Sequence, residues 1–216
     1  MKVANIVIFD IETGGFLTKG HENGVCEIAM IGINADTLEE IGRYEAIIAP
    51  YKTYSEEITT YTDGALQVNG LTRSQIEGGE QAKNVIKEMV AFAKSMKIGG
   101  RNGKPILAGH NIDSFDIPYL NQFFELHKKE FQSEYSPFTL DTMWWTRMKW
   151  AKDGSIANHK LGTACESANI PLVDAHRAMA DVESNTELVR HFITSMRGDG
   201  SATVKKKEKT RVKFQF

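Results

Sequence analysis

The chain has 216 residues, 41% of them hydrophobic and 25% charged, enough for one domain with a real core and short for two. Its longest apolar runs, such as Ile6–Phe9, are strand-sized, which excludes a membrane span, and the first residues enter a strand pattern at once, leaving no room for a signal peptide. A net charge of −2 argues against a protein that coats nucleic acid by charge alone, but not against an enzyme that holds its substrate through metal ions.

Three strands are predicted first. Val3–Glu12 is rich in Val, Ile and Phe, Val25–Asn34 follows a glycine-containing turn region, and Ile41–Ala49 ends at Pro50. Their short connections predict an antiparallel meander. Pro50–Gly64, with Tyr51, Tyr54 and Tyr61, reads as a long surface loop, the alternative being a substrate lid. Gln81–Lys97 then carries Val85, Ile86, Met89, Val90 and Ala93 at a helical period. After a basic, glycine-rich loop, Pro105–Ala108 reads as a buried strand, Ile117–His127 as a helix, Phe138–Asp141 as a strand and Thr142–Trp150 as a helix. Leu161–Ala168 and Ala178–Met196 are the last two helices. The pattern predicts an α/β fold: a five-stranded mixed sheet, an antiparallel meander plus parallel strands, flanked by helices. One domain over 1–197 is expected, followed by a tail over 198–216 with six basic residues against Asp199 and Glu208, disordered or ordered only on binding. Cys26 and Cys165 stand in apolar stretches without a Cys or His at ligand spacing, and are expected as buried free thiols in a reducing cytoplasm. Trp144, Trp145 and Trp150 lie on a helix between core elements and are assigned to packing, not base stacking.

Three acidic clusters carry the chemistry. Asp10 and Glu12 are two apart at the end of the first strand, so they share one face while Val7, Phe9 and Ile11 take the other. Side-by-side carboxylates near the middle of a sheet repel one another. A divalent cation removes that cost, and magnesium and manganese prefer oxygen ligands. The alternative is a solvated strand end. The second cluster, His110-Asn111-Ile112-Asp113-Ser114-Phe115-Asp116, follows a strand and opens a helix, where α/β sheets place their sites. The economical assignment has one of Asp113 and Asp116 capping the helix and the other binding metal; local chemistry leaves open which. In the third, His176 and Asp181 are five apart, about 140° around a continuous helix. They converge only if His176 precedes the helix and Asp181 sits inside it, an arrangement that suits a general base beside a metal ligand. Otherwise they are a helix-entry residue and a solvated charge.

Together these clusters resemble the motifs of the DEDDh (DnaQ-like) 3′–5′ exonuclease family, from Val3 to about Ile193 and in order. Phe9-Asp10-Ile11-Glu12-Thr13-Gly14 matches the first motif, His110–Asp116 the second with Asp116 as ligand, and His176 with Asp181 the third. The resemblance implies a ribonuclease H-like fold and two divalent cations, Mg2+ or Mn2+, held by Asp10, Glu12, Asp116 and Asp181, with Asp10 between them and His176 as general base. It implies removal of nucleoside 5′-monophosphates from a free 3′ end, with single-stranded DNA favoured as substrate and RNA as the alternative. It also implies that Thr13, Gly14, Val68, Asn69, Leu71, His110 and Asn111 seat the last nucleotide. Val68-Asn69-Gly70-Leu71-Thr72 departs from the family pattern in carrying Asn69 where polymerase-type members have histidine. A polymerase or sliding clamp is a candidate partner for the tail, and a non-catalytic adaptor is the rival from another class.

Overall fold

The computed structural model describes residues 4–16, 23–99, 103–171 and 177–198. Its sheet has the order β3-β2-β1-β4-β5, with β1 Ile6–Thr13, β2 Val25–Ile33, β3 Glu40–Ile47, β4 Ile106–Gly109 and β5 Thr139–Asp141. β1 and β3 run antiparallel to β2, β4 runs parallel to β1, and β5 parallel to β4. The expected meander plus parallel strands is therefore present, and β1 is the central strand. Among the described residues no helix is long and apolar enough to cross a membrane.

The alternation in β1 divides the core. Val7, Phe9 and Ile11 face α3 (Ala82–Ser95) and α4 (Asp116–Leu126), packing with Val85, Ile86, Met89, Leu120, Phe123 and Phe124. Ile6 and Ile8 face the long last helix, α7 (Ala178–Arg197), and meet Ala178, Val182 and Val189. Asp10 and Glu12 continue this second face. Two short helices, α5 (Thr142–Lys149) and α6 (Leu161–Ser167), pack beside α7, where Trp145 and Trp150 close on Phe192. Trp144 departs from the packing assignment: it is 53% exposed, with the Arg147 guanidinium 4.8 Å from its ring centroid. Both cysteines are buried and free.

Two helices were not expected, α1 (Asp63–Asn69) and α2 (Arg73–Glu77). Thr62 caps the first, accepting from Ala65 N–H, and Thr72 with Gln75 forms a capping box on the second. Between them Gly70 adopts φ 66°, the left-handed conformation that stops a helix without a Cβ penalty. The expected loop Pro50–Gly64 therefore ends inside α1. It is pinned rather than free: the Tyr51 hydroxyl accepts from Val25 N–H, and the exposed Tyr54 bonds Glu125.

An alanine Cβ at position 70 would make only an ordinary 3.8 Å contact with Arg177 Cδ, so the backbone alone sets the cost of Gly70→Ala. Urea denaturation is expected to show a loss of about 1–2 kcal/mol, the left-handed penalty for an L-residue. An unchanged midpoint would mean that the α1–α2 corner does not require glycine.

Candidate active site

Asp10, Glu12 and Asp181 each place one carboxylate oxygen within 4.8 Å of the others. The first two come from the end of β1 and the third from the first turn of α7. Asp116 stands outside this trio but close by. It is 3% exposed, opens α4, and accepts from Ile11 N–H at 3.2 Å. The capping expectation for the second cluster is corrected here. Phe115 holds the cap position without a side-chain bond, while Asp113 is exposed and accepts from the Thr139 hydroxyl. The cap that matters is Asp141, which ends β5. Its carboxylate accepts from Asn111 N–H, Asp113 N–H and Met143 N–H, tying the 110–113 loop to α5.

Burial raises every carboxyl of this group with a resolved shift, and charge crowding adds to it at Asp10 and Glu12. Burial, then Asp116, Glu12, Asp181 and Glu27, push Asp10 well above the carboxylate range. Burial, then Asp181 and Glu27, raise Glu12 to about 8, with Arg177 opposing. Burial raises Asp116 to about 7, against the bond from Ile11. An all-oxygen, convergent donor set of strained carboxylates fits a hard divalent cation. His176 lies outside the described residues, two positions before α7 begins.

Against Glu12 opens a cavity of about 620 Å3, lined by Ile11, Thr13, Phe16, Asn23, Thr62, Ala65, Val68, Asn69 and Phe115 among others. Of the residues predicted to seat a nucleotide, Thr13, Val68 and Asn69 line it. Gly14 and Leu71 do not. Gly14 lies against the backbone of residues 60 and 61, where a Cβ would meet Thr60 O at 2.3 Å, and Leu71 is buried beside Cys26 and Leu66. The Asn69 side chain is committed inward, donating to Thr13 O and Cys26 Sγ and accepting from Leu71 N–H. His110 is equally committed: Nδ1 meets the Thr142 hydroxyl at 2.9 Å and Nε2 the His159 carbonyl at 2.7 Å. Neither His110 nor Asn111 lines the cavity. Sequence reasoning missed Phe16 and Phe115, whose rings meet edge to face at 6.2 Å. It also missed Glu27, although a lone acid inside the apolar run Val25–Ile33 was a readable signal.

Residues 7–189 match the model of the RNase T exonuclease family. The chain belongs to this family, the DEDDh class of 3′–5′ exonucleases. It is 27% identical over 190 residues to a PolC-type DNA polymerase III of Halalkalibacterium halodurans, covering 88% of this chain and 11% of that protein. A PolC-type DNA polymerase III of Bacillus subtilis is 26% identical over 183 residues, again with 11% of its length spanned. Among solved structures, E. coli exonuclease I with a dT13 oligonucleotide superposes with TM-score 0.69 at 17% identity, over 91% of this chain and 42% of that one. The nuclease domain of 3′hExo, a DEDDh family member bound to rAMP, does so with TM-score 0.67 at 18% identity, over 91% and 92%. The fold is the ribonuclease H-like exonuclease fold.

The raised carboxyls fix the sign of a pH effect. Glu12 and Asp116 ionise ordinarily at 4.5 and 3.8, and in the folded chain at about 8 and about 7. Between those limits the folded state binds more protons than the unfolded one, so stability falls as pH rises. Scanning calorimetry of the EDTA-stripped protein is expected to show Tm climbing as pH is lowered from 8.5 towards 5.5, with saturating Mg2+ or Mn2+ flattening the slope. Asp10→Asn should raise Tm in EDTA at pH 8. A flat profile in EDTA would show that the carboxylates do not crowd.

Proposed function

We propose that the chain hydrolyses the terminal phosphodiester of single-stranded DNA from the 3′ end and releases nucleoside 5′-monophosphates. The observation that carries this is the meeting of the Asp10–Glu12–Asp181 trio with a nucleotide-sized cavity at Glu12. Those three residues would hold one divalent cation, Mg2+ or Mn2+, and Asp10 with Asp116 a second. Such ions, when bound, stabilise charge on the reacting phosphate and acidify water. His176 takes the proton of the attacking water as general base. Val68, Ala65, Phe16 and Phe115 grip the terminal nucleoside through apolar contact.

Apart from Glu12, the polar side chains of the cavity wall are bonded within the protein. The Thr13 hydroxyl donates to Gly15 O, and that of Thr62 donates to Gly14 O. Asn23 donates to Phe16 O and accepts from the Thr60 hydroxyl. This supports a site that grips any base by shape rather than reading its edges. The PolC-type DNA polymerase relatives favour DNA over RNA. The convergent trio weighs against a non-catalytic adaptor, because clustered charge is costly to keep without a cation.

End-labelled oligonucleotides test the proposal. Mononucleotide release is expected with Mn2+ and not with EDTA, faster on DNA than on matched RNA, and similar for all four terminal bases. Asp10→Asn and Asp181→Asn should abolish it with the fold intact, and His176→Ala should slow it roughly 10²–10⁴-fold. Asp116→Asn should harm more than Asp113→Asn. Full activity in Asp10→Asn would remove the metal site, and faster RNA turnover would replace DNA as substrate.

The tail beyond Gly198 is proposed to raise substrate affinity through its six basic residues, or to dock a polymerase or sliding clamp. Truncation at Gly198 should leave the rate at saturating substrate unchanged, weaken apparent affinity at low salt and flatten its salt dependence. Unchanged affinity and slope would end the electrostatic role.

A further inference from the structure

We propose that Glu27 and Arg177 form a positioning pair that sets the start of α7, and with it Asp181, against the carboxylates of β1. The proposal rests on the nuclease reading above and adds two residues to it. Glu27 lies on β2 directly opposite Glu12 in the strand register and is 4% exposed. A carboxylate so buried persists only with partners.

Every hydrogen-bond partner described for the Glu27 carboxylate comes from the entry to α7. Arg177 donates from Nη2 at 2.8 Å and from Nε at 3.3 Å, and Ala178 donates its backbone N–H at 3.2 Å. The guanidinium fork fixes direction as well as distance, which a lysine would not. Arg177 occupies the cap position of α7 without a side-chain cap bond of its own. Glu27 therefore caps this helix from a neighbouring strand, satisfying one of its unpaired N–H groups and placing negative charge at the positive end of the helix.

The clamp then reaches the site through one turn of backbone. The Arg177 carbonyl accepts from Asp181 N–H at 3.0 Å. Rotation or withdrawal of residue 177 would carry Asp181 out of the trio. Glu27 is absent from the oxygen trio, and neither Glu27 nor Arg177 lines the nucleoside cavity. Their effect should therefore fall on turnover and cation affinity, not on substrate capture.

The test uses the full chain with Glu27→Gln, Arg177→Gln, Arg177→Lys and the Glu27→Gln/Arg177→Gln double variant. Turnover of an end-labelled DNA oligonucleotide is measured with Mn2+, and Mn2+ affinity separately by calorimetry. Each Gln variant should lower kcat and weaken Mn2+ binding roughly 10–100-fold, the usual cost of losing a partner that orients a ligand. KM should hold within about threefold, Arg177→Lys should fall between, and the double variant should be no worse than either single one. Additive losses, full activity in both Gln variants, or a raised KM with kcat intact would overturn the pair. So would an inactive Glu27→Gln beside a fully active Arg177→Gln, which would make Glu27 act directly. If Glu27→Gln does not fold, Arg177→Gln decides, since its side chain is 42% exposed. An inactive wild type would remove the nuclease reading and leave Mn2+ affinity to judge the pair.

Discussion

Repulsion among carboxylates at the end of one central strand is the constraint around which the rest of the molecule is arranged. Asp10 and Glu12 cannot separate, because both are paired in register with β2 and the opposite face of β1 is filled by Phe9 and Ile11. Asp181 and Asp116 arrive from helices that are themselves anchored in the two core layers. Nothing short of protonation or a cation relieves four such groups. Burial first, and at Asp10 and Glu12 the neighbouring charges after it, make Asp10, Glu12 and Asp116 hold protons far above the usual carboxylate range.

A fold can tolerate this only if the remainder is well supported, and the supports are visible. One core layer is dense in aromatic rings, with Phe9, Phe123, Phe124, Phe131 and Tyr135 in mutual contact. Stacking geometry there adds to simple burial. Asp141 spends its carboxylate on three backbone N–H groups and so holds the loop before Asp116. Arg177 offsets the charge of Glu27 where both act on Glu12.

Much of this was legible in the sequence, and the parts that were not share a cause. Alternation in β1 separated core from carboxylates because a two-residue period needs only the strand itself. The long helices showed their apolar period. α1 and α2 are too short to show one, and their signals were the caps Thr62, Thr72 and Gln75 instead. Asp116 and Asp113 could not be told apart locally, because the Ile11 N–H that marks Asp116 lies 105 residues away. Asn69 is expected as a substrate contact and does line the cavity, while the bonds of its amide run to Thr13, Cys26 and Leu71. Which way a polar side chain turns at the rim of a cavity depends on tertiary neighbours that no spacing encodes.

The two halves of the site ask different things of the chain. The carboxylate half works through charge, which acts at a distance and depends steeply on placement, so its members sit on a paired strand and on helix starts held by buried bonds. The cavity half works through contact. Its walls come from irregular segments around Gly15 and Asn23 and from α1, where Val68 is 59% exposed and Phe16 75%. Because the side chains of Thr13, Asn23, Thr62 and Asn69 in that wall are bonded to the backbone and to neighbours behind it, the cavity keeps its shape without directing those donors at what it holds. On the proposed reading, chemical stringency is thereby concentrated at the scissile phosphate, which every nucleotide shares, and little is left for the base, which varies.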